Sequence, residues 1–166
     1  MAYFVSALSF ILALMIQSGI VSQTLLLGGT ADLILLVVAS WGLHQQTRYF
    51  WVLILAVSMM IGAISAEPFM LPVAAYMGVY LASLWVRQKI LQSPLLAMFF
   101  LVFTGTIYQH LLYMASLFIS RTAFSWREAV FNLLLPSLIL NMLLAIPVHA
   151  LVQELARTSQ PKGSEL

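Results

Sequence analysis

The chain has 166 residues, 63% hydrophobic and 7% charged, with a formal net charge of +2. A soluble domain carries about a quarter charged residues, so a mean hydropathy of +1.03 points to lipid as the solvent. So small and dispersed a charge gives no nucleic-acid footprint, and without cysteine there is no disulfide, haem thioether or thiolate metal site.

A helix needs about 20 apolar residues to cross a bilayer core. The run 3–27 is long enough alone and is broken by Gly28-Gly29-Thr30. It starts almost at Met1 with no basic n-region and no obvious cleavage site, and reads as a retained helix. The run 31–43 is short and ends at His44-Gln45-Gln46-Thr47-Arg48. Runs 49–65 and 69–86 follow, separated by Ala66-Glu67-Pro68 and closed by Arg87-Gln88-Lys89. The run 94–119 is long and ends at Ser120-Arg121. Ser125 precedes Glu128 by three residues, a capping-box spacing that marks a helix start. The last helix is expected over about 129–152, with 154–166 as a polar disordered tail. The expected architecture is all-α, a polytopic membrane bundle of about six helices over 1–153. A five-helix bundle is the alternative if 31–43 does not span. The runs lack the apolar/polar alternation of a membrane barrel.

With six spans both termini share one side. Arg48, Arg87, Lys89, Arg157 and Lys162 fall on that side, and Arg121 and Arg127 on the other. The positive-inside rule then puts both termini in the cytoplasm. Trp41, Trp51 and Trp85 fit interfacial indoles at the cytoplasmic ends, and Trp126 fits one at the outer end.

Polar residues inside apolar runs are costly in lipid unless partnered, which makes each a candidate. Asp32 reads either as the N-cap of the second helix or as a partner-facing or ion-paired carboxylate. Glu67 reads as a solvated loop acid. Ala74, Gly78 and Ala82 recur every four residues, a small-residue stripe that lets another helix approach. In the fifth run Gly105 and Gln109 share one face, and Thr106, His110 and Tyr113 the adjacent one. Such a patch reads as helix packing with interhelical hydrogen bonds, or as a ligand or proton site. His110 has no acidic or histidine neighbour at helical spacing, so it argues poorly for a metal. Pro136 and Pro147 predict two bends, with Asn141 between them placed to satisfy a freed carbonyl. His149 is expected near a helix C-terminus, where the dipole favours a cationic ring. No phosphate loop, paired carboxylates or nucleophile with a matching base appears. The expectation is a non-enzyme without cofactor.

Three stretches together resemble MreD, the small membrane subunit of the bacterial rod-shape system, over about residues 5–157. Ala31-Asp32-Leu33 opens a leucine-rich segment ending at Trp41-Gly42. Gly78-Val79-Tyr80-Leu81-Ala82 precedes a basic loop. Leu135-Pro136-Ser137 opens a closing helix with Asn141 five residues after the proline and Pro147 six after that. Where the family has a proline before the aspartate this chain has Ala31. There is no acid near Gly62, and Gln109 follows Tyr108 in place of a glutamate. The resemblance implies a multi-pass protein of the bacterial cytoplasmic (inner) membrane that binds an MreC-like partner. It implies indirect association with MreB-like filaments, a transpeptidase and a glycosyltransferase in peptidoglycan elongation and cell shape. It also implies a fold similar to the substrate-binding subunits of energy-coupling-factor vitamin transporters. A small-solute-binding subunit of such a transporter is therefore the alternative function. A partner helix is expected on the Ala74/Gly78/Ala82 stripe or on the Gly105/Gln109 face.

Overall fold

A computed structural model describes residues 2–21, 29–44, 50–65, 68–89, 93–122 and 125–159. Gly28, Arg48, Glu67, Lys162 and the last residues of the expected tail lie outside them. Six helices make up an all-α bundle among the described residues. They are α1 (Ala2–Ile16, extended by a π-turn over Gln17–Val21), α2 (Leu33–Leu43), α3 (Phe50–Ile64), α4 (Met70–Lys89) and α5 (Pro94–Ile119). The last, α6, is a compound helix of Trp126–Glu128, a π-turn over Ala129–Leu134, and Leu135–Ser159.

Three stretches are long and apolar enough to cross a membrane: Met70–Gln88, Pro94–Ile119 and Trp126–Thr158. Their outward side chains are apolar too, among them Leu81, Phe118, Ile139 and Leu143. Water would not tolerate this surface, and the molecule is a membrane protein.

The short helix α2 is the centre of the bundle. It packs against α1, α4, α5 and α6, and Ile34 through Gly42 are all buried. Its sequence has no polar face because it has no wet face. Eleven residues rise only about 16 Å, roughly half of a hydrocarbon core. The backbone groups left unpaired at its two ends take partners from neighbouring helices. Those partners form two polar clusters, one at each end of α2.

At the C-terminal end of α2, Trp41 is 5% exposed and its Nε1 donates to Ser9 Oγ at 2.9 Å. This corrects the expectation of an interfacial indole. Trp51, Trp85 and Trp126 do stand exposed. Phe50 sits among Phe10, Trp41 and Tyr80 with ring centroids 6.0–6.2 Å apart, so α1, α2, α3 and α4 meet at one aromatic joint. His44 Nδ1 lies 2.8 Å from Ser40 O, and the Arg87 guanidinium donates to His44 O at 3.1 Å. These bonds occupy carbonyls that the end of α2 leaves open. His149 is buried, 2.9 Å from Ser40 Oγ, with its ring 5.6 Å from that of His44. Helix α6 continues past His149 to Ser159. The imidazole is thus outside the last turn, and the dipole expectation fails for it.

Trp41→Phe should keep the aromatic joint and lose one buried hydrogen bond. The expected cost is about 1 kcal/mol, or roughly 2–4 °C in thermal midpoint, read by unfolding in detergent micelles. No shift at all would mean that the indole N–H contributes nothing to holding α1 on α2.

Helix α6 starts at Trp126 with Ser125 as its N-cap, where the capping-box spacing expects a helix start, and Ser125 Oγ accepts from Glu128 N–H. At its other end the expected tail is helical as far as Ser159, and Arg157 and Glu154 pair there at 3.8 Å on the surface. Pro136 has no N–H for the carbonyl four residues back, and its ring crowds that carbonyl. The preceding turn is wound wide: Leu135 N–H bonds to Val130 O, five residues back. At Pro147 the helix runs on without interruption.

Candidate functional site

Asp32 is the N-cap of α2, with backbone φ −112° and ψ 92° and its Oδ1 accepting from Leu35 N–H at 2.9 Å. A carboxylate there also faces the positive pole of the helix dipole. Two readings of Asp32 were open, and the structure shows the capping one together with something further. The side chain is 8% exposed, and its Oδ2 accepts from Tyr76 Oη at 2.9 Å and Gln109 Nε2 at 2.7 Å. Helices α2, α4 and α5 thus meet on one carboxylate. Its partners Leu35 N–H, Tyr76 and Gln109 are all neutral donors, and among the described residues it forms no ion pair.

The backbone around Asp32 is held just as densely. Asn141 Oδ1 accepts from Asp32 N–H at 2.7 Å, and Asn141 Nδ2 donates to Thr106 Oγ1 at 3.0 Å. Asn141 therefore ties α6 to α2 and α5. The expected bond to a proline-freed carbonyl in its own helix is not what its amide makes. Gln17, in the π-turn after α1, brackets the segment leading into α2. Its Nε2 donates to Ala31 O at 3.0 Å and its Oε1 accepts from Leu33 N–H at 2.8 Å. Ser137 Oγ accepts from Thr30 N–H at 3.1 Å. Side chains of α1, α4, α5 and α6 thus converge on the head of α2. Among the described residues no buried side-chain nitrogen or oxygen lacks a partner.

A cavity of about 740 Å³ opens beside this knot, at the end of the bundle where α1, α3 and α5 finish and α2, α4 and α6 begin. Asp32, Tyr76, Gln109, His110 and Tyr113 supply polar wall, and Ile34, Ile61, Ile64 and Leu133 apolar wall. His110 Nδ1 is 2.9 Å from Thr106 O, a carbonyl that only accepts. The proton is therefore on Nδ1, and Nε2 is left as an acceptor in the neutral ring.

The glycine candidates are engaged inside the bundle. A Cβ on Gly78 would lie 2.6 Å from the Tyr108 ring, and one on Gly105 would lie 2.9 Å from Val79 Cγ2. Each glycine seats a side chain of the facing helix, which brings α4 and α5 close together. Ala82 packs against the core and Ala74 is exposed. A second protein's helix therefore cannot use the Gly78 and Gly105 seats without displacing Tyr108 and Val79.

Asp32, Gln109, His110 and Asn141 come together as one site, whereas Pro147 lies apart from it on the surface. Gln17, Tyr76 and Ser137 belong to the site and were not singled out from the sequence. Gln17 had a usable signal, a lone amide in an apolar run. Tyr76 had none, because a tyrosine in an apolar helix passes for core.

Comparison with family models, curated proteins and solved structures finds no match.

Proposed function

We propose that this chain is a non-catalytic scaffold of the MreD type, binding an MreC-like membrane protein in a complex that supports peptidoglycan elongation and cell shape. What carries the reading is the join between the two most distinctive stretches of the resemblance. Asp32, from the leucine-rich segment, and Asn141, from the proline-flanked closing helix, are hydrogen-bonded across 109 residues of sequence. The Asn141 amide makes this joint through the Asp32 backbone N–H, while the Asp32 carboxylate caps α2 and receives Tyr76 and Gln109, so both marked residues hold the head of α2. The Gly78 stretch contributes the α4–α5 contact.

On this reading the protein is multi-pass in the bacterial cytoplasmic membrane, with six spans and both termini inside. The basic residues Arg87 and Arg157 sit at the cytoplasmic ends, and the cavity faces outward. The partner helix meets the lipid-facing surface, since the two glycine seats are filled from within.

The test is affinity purification of the full chain from its own membrane in mild detergent, with mass spectrometry of what accompanies it. Recovery of an MreC-like protein is expected, with the cell-wall synthesis enzymes behind it. Recovery instead of an ATPase pair with a coupling subunit would overturn the scaffold reading in favour of a transporter subunit.

A further inference from the structure

The cavity beside Asp32 is not needed for a scaffold, and its chemistry is specific. Its volume of about 740 Å³ lies within the range of roughly 300–1,000 Å³ typical of small-molecule sites. Among the described wall residues there is one carboxylate and no lysine or arginine. Arg121 and Arg127, on either side of the turn from α5 to α6, are exposed and do not line it. Among the described residues the wall therefore carries formal charge of one sign only. A cation entering the cavity would meet that charge with no lysine or arginine among the described wall residues to oppose it.

The acceptors define which cation. A carboxylate offers about four lone-pair positions. Leu35 N–H takes one on Oδ1, and Tyr76 and Gln109 occupy Oδ2. That leaves one position on Oδ1. His110 Nε2 is a second acceptor, and the Tyr113 hydroxyl a third polar group on the wall. A primary ammonium, with three donors and no acceptor, matches such a set. A bare divalent ion wants six or more oxygens, and no group of three histidine or acidic residues is found among the described residues. The apolar remainder of the wall, Ile34, Ile61, Ile64 and Leu133, fits a hydrocarbon body.

We propose that this cavity binds a primary ammonium group carried on an apolar body, with the Asp32 carboxylate as counter-charge and His110 Nε2 as second acceptor. An aminophospholipid headgroup and a soluble amine present the same group. The proposal is independent of the scaffold reading: a chain that binds no amine still keeps its partner surface.

The experiment is calorimetric titration of the full chain, in maltoside micelles, with hexylammonium chloride and with the isosteric 1-hexanol. Hexylammonium should bind more tightly than hexanol by about tenfold or more, the worth of a charge-assisted bond over a neutral one. Asp32→Asn retains a good capping side chain and should bring hexylammonium down to the hexanol level. Equal binding of the two probes by the wild-type chain would overturn the proposal, and that comparison needs no variant. Undiminished hexylammonium binding by Asp32→Asn would overturn it as well. Repeating the titration in nanodiscs separates the sources. If phosphatidylethanolamine discs abolish hexylammonium binding and phosphatidylcholine discs do not, the lipid headgroup is the occupant. Equal binding in both discs identifies a soluble amine.

Discussion

Asp32→Ala should lower the thermal midpoint of the chain further than any other single truncation in the bundle, by the equivalent of roughly 3–5 kcal/mol. The reason is what the carboxylate leaves behind. Leu35 N–H, Tyr76 Oη and Gln109 Nε2 would lose their acceptor together. A buried donor without an acceptor costs about 1–3 kcal/mol, and Leu35 and Tyr76 are buried. The helix would also lose its N-cap, typically worth about 1 kcal/mol. Asn at the same position keeps Oδ1 as the acceptor for the cap, and its Nδ2 can donate to the Tyr76 hydroxyl once that rotates or to the Gln109 oxygen once that amide flips, so Asp32→Asn should lose less than half as much. Both variants are read by tryptophan fluorescence during heating in micelles. A midpoint for Asp32→Ala within about 2 °C of wild type, a shift worth under roughly 1 kcal/mol, would mean that the carboxylate is incidental to the fold.

Gly29→Ala is the second large effect, and it adds one methyl group. An ideal Cβ at Gly29 would lie 2.5 Å from Ser137 N and 2.7 Å from Pro136 Cβ. The obstacle is the backbone of α6 at its proline, which has no rotamer to retreat into. Relief requires moving the lead-in of α2 away from α6, and that stretches the bond from Thr30 N–H to Ser137 Oγ. Overpacking of this kind costs about 1–3 kcal/mol, with the lost hydrogen bond in addition. Gly19→Ala is the matched control, since nothing lies within 4 Å of its added Cβ. It should unfold within about 0.5 kcal/mol of wild type, as unobstructed surface changes do. Equal behaviour of the two variants would contradict the close approach of α2 and α6.

The helices themselves were legible because lipid imposes one rule, a long apolar run for each span. The fifth run, 94–119, coincides with α5, bounded by Pro94 at one end and Ser120-Arg121 at the other. The shortness of the second run was legible too. Its meaning was not: an apolar segment looks the same whether lipid or protein surrounds it. Trp41 shows the difficulty, because an indole near a helix end suits a headgroup layer and a buried hydroxyl partner equally well. Asn141 shows another. Its position between two prolines suggested a repair of its own helix, whereas the amide reaches two other helices. Contacts across more than a hundred residues leave no periodic trace in the chain. The site was half visible for the same reason. Asp32, Gln109 and His110 stand out as polar residues in apolar runs, but that they share one cavity is a fact of topology.

The central position of α2 also has a consequence for the order in which the protein can be made. A ribosome delivers α2 second, yet the groups that complete its head belong to Tyr76, Gln109 and Asn141, delivered much later. Until the last of them emerges, a half-length helix with a carboxylate at its tip has no settled place in the bilayer. The head of α2 therefore stays incompletely bonded until Tyr76, Gln109 and Asn141 have all been synthesised. A chain cut short before Asn141 leaves Asp32 N–H and Thr106 Oγ1 without the partner they share in the complete bundle.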